Sequence, residues 1–185
     1  MTLILASGSP RRKQILEYLN IPFDVVVSNA EEHIDSNKPL EKEIEKLSYL
    51  KAEEVFKRHK DAVVIGSDTI VTINNKVLGK PKNEDEAKQM LQLLQNNKHT
   101  VITAVTIMSK DKTITFHNNS DVYFNPISEK EIDEYIKTKE PMDKAGAYAI
   151  QGIGAKFIKK IDGDFYSIMG LPLNEVYLKL KEFEN

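Results

Sequence analysis

Three cations, Arg11, Arg12 and Lys13, follow the small, hydroxyl-bearing run Ala6-Ser7-Gly8-Ser9 with a single proline between them. Ser9 is a good N-cap, Pro10 suits the first helical position, and Ile15, Leu16 and Leu19 form an apolar stripe, so the cations fall in the first turn of a helix. That end already carries a partial positive charge and unpaired N–H groups, which disfavours each added cation by roughly 0.3–1 kcal/mol unless an anion is present. Arg11 lies one turn before Ile15, and Arg12 one turn before Leu16, so both emerge beside the buried face. A solubilising surface cluster is the plain alternative, but Ser-Gly-Ser directly before two arginines is the material of a phosphate cradle.

A second charge stands where apolar residues are expected. Asp68 interrupts Val63-Val64-Ile65-Gly66-Ser67-Asp68-Thr69-Ile70-Val71, which otherwise spells a buried strand. A buried carboxylate has to be ion-paired, hydrogen-bonded, metal-bound or protonated. Catalysis or metal binding competes here with a structural ion pair, and Gly66 permits a kink or the close approach of a ligand.

Lys51 sits on a long helix expected from about Pro39 to His59, within about 20° of the direction of Ile44 in its core stripe. It is either a functional cation or a stem that snorkels to water. Glu31 and Glu32 offer oxygen ligands to a hard divalent ion, although acidic pairs in loops are commonly just solvated. Gly79-Lys80-Pro81-Lys82 places two cations around a turn, as a phosphate clamp or a surface loop, with Lys80 held extended by the proline after it.

The elements that must hold these groups follow from periodicity. Strands are expected at 2–7, 23–27 and 62–73, with Asn74-Asn75 as a hairpin turn, and the first helix near 10–19 completes a βαβ opening. Asn83 with Glu86, and Ser128 with Glu131, open two more helices, ending near Gln95 and Lys139. Between them, 100–125 is strand-rich and turns at Lys110-Asp111-Lys112. A small-residue loop from Ala145 to Gly154 leads to a strand at Lys156-Phe157-Ile158, and a last helix follows Pro172. No repeat or flexible linker divides these pieces, so one domain spans 1–185.

The 185 residues are 41% hydrophobic, enough for a real core, and their 26 basic and 28 acidic residues leave a net charge of −2. That balance supplies no global basic field for nucleic acid, so any anion site is local. Without cysteine there is no disulfide, thiolate metal site or cysteine nucleophile. No segment approaches the ~18 apolar residues of a membrane span, so a soluble, cytoplasmic protein is expected. No Walker A motif occurs, Gly152-Ile153-Gly154 lacks the rest of a dinucleotide fingerprint, and the four histidines show no ligand spacing. Asp162-Gly163-Asp164 offers oxygens to a metal, but most such triplets are turns and a turn is expected.

Ala6-Ser7-Gly8-Ser9-Pro10-Arg11-Arg12, Gly66-Ser67-Asp68-Thr69, Gly79-Lys80-Pro81 and the stretch from Glu140 to Tyr148 together resemble the Maf family, the septum-formation inhibitor proteins. Gln151-Gly152 and the block from Asp162 to Pro172 continue the likeness, which runs through almost the whole chain in the family's order and spacing. The resemblance implies an α/β fold with a mixed β-sheet flanked by helices, an inosine-triphosphatase-like two-lobed architecture with a central cleft, and a homodimer. It implies a nucleoside triphosphate pyrophosphatase that uses a divalent cation, Mg²⁺ or Mn²⁺. The family's phosphate-handling positions match Ser7, Arg11, Arg12, Lys51 and Lys80, and its acidic catalytic position matches Asp68; by their own chemistry Glu31 or Glu32 would help Asp68 to hold the ion. Arg11, Thr69 and Gln151 are similar to the branch acting on dTTP and UTP. A nucleotide-sensing protein that restrains septum formation is the alternative.

Overall fold

The computed structural model describes residues 2–35 and 37–183. Strand β1 (Thr2–Leu5) is shorter than the apolar spelling suggested, although Ala6 N still donates to Ile65 O at 2.8 Å. Helix α1 (Pro10–Glu17) is capped by Ser9, whose hydroxyl accepts from Arg12 N. The second strand, β2 (Asp24–Val25), keeps only two of the five residues expected and both are exposed, so apolar type there did not mean burial. Helix α2 (Leu40–Arg58) has Glu41 and Glu43 in its first turn and Lys57 and Arg58 in its last, each complementing the helix dipole.

Strand β3 (Ala62–Ile73) turns through Asn74 and Asn75, both at positive φ, into β4 (Lys76–Leu78). Asn83 caps α3 (Glu84–Leu94), accepting from Glu86 N at 2.8 Å. Two long strands, β5 (Lys98–Met108) and β6 (Thr113–Phe124), follow, and the reciprocal capping box of Ser128 and Glu131 opens α4 (Glu129–Lys137). Lys156 and Phe157 were expected to begin a strand but lie in a 3₁₀ turn (Ile153–Phe157), and β7 (Ile158–Asp162) starts after them. Gly163 turns the chain at φ 142° into α5 (Phe165–Met169), and α6 (Leu173–Leu180) follows Pro172.

The strands form one mixed sheet in the order β2-β1-β3-β5-β6-β7, with β4 paired to β3. β1 is parallel to both β2 and β3, with Leu5 opposite Val25 on one side and Ile65 on the other. β4 on β3 and β7 on β6 are antiparallel. Because the chain leaves β1 for β2 on one side and reaches β3 on the other, the carboxyl end of β1, beside the middle of β3, is a topological switch point, the usual place for a ligand in an open α/β sheet.

Two compact units are formed, Met1–Thr69 with Thr103–Asn118 and Gly170–Asn185, and Ile70–Ile102 with Asn119–Met169. In the first, Ile4, Val64, Ala52 and Val55 pack α2 against the sheet. Gly66 sets that distance, since a Cβ there would come within 2.6 Å of Ala52 N and closer still to Ser48 O. The glycine therefore admits a helix, rather than the ligand its position suggested. In the second unit the core gathers Leu91, Leu94, Phe124, Tyr135 and Phe157. His99 is buried there, with the edges of Phe124 and Tyr148 about it, and its Nε2 is 2.7 Å from the Tyr148 hydroxyl. Its Nδ1 has no hydrogen-bond partner, and burial pulls its pKa down to about 4.

Gly66→Ala should cost about 2 kcal/mol or more in urea unfolding, because backbone atoms cannot step aside. Gly79→Ala, where a Cβ would meet nothing within 4 Å, should stay within about 0.5 kcal/mol of wild type. His99 gives a pH prediction. With its folded pKa depressed, its contribution is complete above the unfolded value near 6.5 and is lost as pH falls towards about 4. Between about pH 7.5 and about pH 5, wild type should lose roughly 2 kcal/mol more than His99→Gln does, and parallel pH profiles for the two would remove His99 as the cause.

Candidate active site

Where β1 ends alongside the middle of β3 the first unit assembles two linked groups of polar side chains. In the first, Arg12 spreads its guanidinium over three acceptors. Nε donates to Gly170 O at 2.8 Å, one terminal nitrogen to Ser7 Oγ at 3.2 Å, and the other to Thr69 Oγ1 at 3.0 Å. Ser7, buried at the end of β1, also accepts from Ser9 N at 3.2 Å, so its hydroxyl is fixed by the turn that leads into α1. Thr69 shares a second hydrogen bond with Thr103 at 2.9 Å. Burial holds the Arg12 pKa below the ordinary guanidinium value; the negative Asp68 opposes this and neighbouring Arg11 adds to it.

In the second group, Lys51 crosses from α2 to β3. Its Nζ lies 3.0 Å from Asp68 Oδ1 and 2.7 Å from Glu32 Oε1. Lys51 and Asp68 are each only 9% exposed, whereas Glu32 reaches in from an exposed segment. The stem of Lys51 does not snorkel to water, and Asp68 is paired. Taking two charges out of water costs several kcal/mol per ion before their attraction is counted, so a buried pair is a poor device for stability alone.

Half-buried Arg11 makes no side-chain hydrogen bond or ion pair among the described residues. Lys13, farther round the turn, faces Glu17 at 3.9 Å on the surface. Of the two candidate acidic loop residues, Glu32 reaches Lys51, while Glu31 is exposed. Lys80 and Gln151 belong to the second unit, both exposed, Lys80 at the turn after β4 and Gln151 on the turn before the 3₁₀ segment. Asp162-Gly163-Asp164 is a turn, with Asp164 N held by Ser120 Oγ at 3.0 Å and the Asp164 carboxylate capping α5 at Ser167 N.

Sequence reasoning missed two participants. The Gly170 carbonyl receives Arg12 and also Ser67 Oγ, at 3.0 Å, and the fully buried Ser67 thereby ties β3 to that carbonyl. Both lie inside the motif blocks, but a carbonyl acceptor leaves no mark in residue type. A cavity of about 590 Å³ at the amino ends of β1 and β3, lined by Thr2, Asp24, His59 and Asp61 among others, holds none of the candidate residues.

A mixed α/β sheet with cations and a carboxylate at its switch point is an architecture suited to a phosphate-bearing ligand. The same fold occurs in the Ham1 protein of Staphylococcus aureus, which matches over the full length of both chains with a TM-score of 0.54 and 14% identity. Within that architecture the chain belongs to the Maf-like protein family, whose model matches residues 2–183. It is 50% identical over 182 residues to the dTTP/UTP pyrophosphatase of Bacillus cytotoxicus, covering 98% of this chain and 95% of that protein. The dTTP/UTP pyrophosphatase of Bacillus cereus strain G9842 matches to the same extent. Among the described residues no helix is long and apolar enough to cross a membrane.

Arg12→Ala should cost about 2 kcal/mol in urea unfolding, since charge-assisted hydrogen bonds to three acceptors vanish together. Arg12→Lys should recover less than half of that, because one ammonium cannot meet acceptors spread around a planar fork. Full recovery by lysine would show that charge alone matters at this position.

Proposed function

We propose that this chain hydrolyses dTTP and UTP to the nucleoside monophosphate and pyrophosphate. The likeness to the two Bacillus enzymes over nearly the whole chain supports the substrate class. The observation that carries the chemistry is the buried Lys51–Asp68 pair beside Arg12 at the switch point. Ser7 and the N-terminus of α1 receive the phosphate chain, and Arg11, with no partner among the described residues, joins them. Arg12 keeps two of its five N–H groups beyond the three bonds it makes, so it can hold the fold and meet an anion together. Lys51 exchanges its carboxylate partners for the phosphates and neutralises charge that accumulates on the departing pyrophosphate. Its departure leaves Asp68 to take the proton from the water that cleaves between the α- and β-phosphates. By the family likeness Lys80 is a phosphate ligand, and Thr69 and Gln151 each serve base recognition.

A divalent cation, Mg²⁺ or Mn²⁺, belongs to the same proposal. Among the described residues no group of three or more His, Cys, Asp or Glu side chains is arranged to hold a metal. Two carboxylates, Asp68 and Glu32, do converge on one positive group, the ammonium of Lys51. Such a pair fits a hard ion that takes its remaining oxygens from phosphates and water, and Glu31 is the adjacent reserve. When bound, the ion would withdraw charge from the phosphate oxygens. A homodimer and a cytoplasmic location accompany this reading.

Pyrophosphate release measured for dTTP, UTP, CTP, GTP and ITP, with and without Mg²⁺ or Mn²⁺, should be metal-dependent and concentrated on dTTP and UTP. Asp68→Asn should lower kcat by at least about 100-fold while nucleotide Kd stays within a few-fold. Near-normal turnover in that variant removes Asp68 as the base. A folded wild type that binds nucleotide and yields no product from any of the five turns the reading to the nucleotide-sensing alternative.

A further inference from the structure

The loop that carries Gln151 is held from inside by a pair of side chains to which nothing above gives a role. The Glu140 carboxylate accepts Ile153 N through one oxygen and Gly154 N through the other, both at 2.9 Å. Tyr135, from α4, is 1% exposed; its hydroxyl donates to Glu140 and accepts Ala149 N at 3.3 Å. Backbone groups two residues before Gln151 and two and three residues after it are therefore fastened to one tyrosine–glutamate unit.

The glycines of the loop are shaped to this unit. A Cβ on Gly152 would overlap the Glu140 carboxylate, and one on Gly154 would stand 2.6 Å from the Tyr135 hydroxyl. Burial works against charge on Glu140, but hydrogen bonds from Tyr135, Gly154 and Ile153 outweigh it, and its pKa is held below the usual carboxylate value. Gln151 itself remains exposed, at the crest of the loop.

We propose that Glu140 and Tyr135 are positioning residues for base selection, holding the Gln151 backbone so that its amide meets the edge of a thymine or uracil. The inference rests on the proposed nucleotide reading. Thymine and uracil present an N–H flanked by two carbonyls, whereas cytosine offers an amino donor and a ring-nitrogen acceptor. A carboxamide distinguishes these patterns only if it is placed to within a few tenths of an ångström, and an exposed side chain on an unfastened loop would not be. Neither positioning residue touches the triphosphate in this scheme.

The test compares Glu140→Gln and Tyr135→Phe with wild type, each checked for an intact fold by circular dichroism and thermal unfolding. Glu140→Gln keeps the shape but leaves one backbone N–H facing an amide N–H₂. The preference for dTTP over CTP, as a ratio of kcat/KM, should fall about tenfold in Glu140→Gln and severalfold in Tyr135→Phe, mainly through KM for dTTP. The Kd for inorganic tripolyphosphate, which has no base, should stay within about twofold, a separation that general loosening of the fold would not produce. Adding Glu140→Gln to Gln151→Ala should change the preference no further. If Glu140→Gln does not fold, Tyr135→Phe, which keeps the carboxylate, carries the test. An unchanged preference in folded variants, or the same fall in the Gln151→Ala background, overturns the positioning role alone. A wild type that neither binds nor hydrolyses any nucleotide overturns the proposed function and takes this inference with it.

Discussion

The contact of α2 with β3 at Gly66 is the constraint from which the first unit's chemistry follows. Only a residue without a Cβ lets the backbone of Ser48 and Ala52 come so close, and that approach is what puts Lys51 beside Asp68. A helix held farther out would take from the buried carboxylate its hydrogen-bonded cation, at a cost of several kcal/mol. The lysine in turn is buried because it has two carboxylates to meet, one from the sheet and one from the loop before its own helix. One missing side chain thus makes two charged ones tolerable.

Arg12 plays the corresponding part at the end of β1. It joins the turn after β1, the middle of β3 and the carbonyl that precedes the last helix, positions distant in sequence that no single element could hold together. Planarity is the reason an arginine serves, since its N–H groups point outward in fixed directions and reach separate acceptors at once. Beside it, Arg11 has no partner among the described residues and Lys13 turns to the surface, so three adjacent cations have three different fates: one structural, one open, and one solvated. The protein itself offsets the unfavourable positive charge at the helix N-terminus for Arg12, through its acceptors and Asp68, and weakly for Lys13, through Glu17 at the surface.

The second unit solves a different problem, the placement of an exposed loop from a buried base. Tyr135 and Glu140 satisfy three loop N–H groups at once, and the glycines leave room for them. Nearby, His99 spends its one hydrogen bond on Tyr148 within an aromatic cluster and is held neutral by burial. Both arrangements place polar atoms in an apolar core, where each hydrogen bond counts for more and each missing partner costs more.

Much of this was legible in the residues themselves. Caps at Ser9, Asn83 and Ser128, the Asn74-Asn75 turn and the inward direction of Lys51 depend on local geometry and periodicity, which a sequence carries directly. Asp68 announced itself as a charge in an apolar strand. The short β2 and the late start of β7 were not legible, because apolar type does not reveal whether a neighbouring strand is there to pair with. Nor was the partner of any charged group. Asp68, Lys51 and Arg12 were each visible as chemistry and Glu140 was not, but which carbonyl, hydroxyl or charged group each would meet depends on segments as much as 158 residues apart. The sequence by itself determined the elements and the kinds of group available, since those follow from short-range sterics and spacing. Only the tertiary structure decided the pairings, since a long-range hydrogen bond depends on where packing leaves two backbones and not on what either residue is.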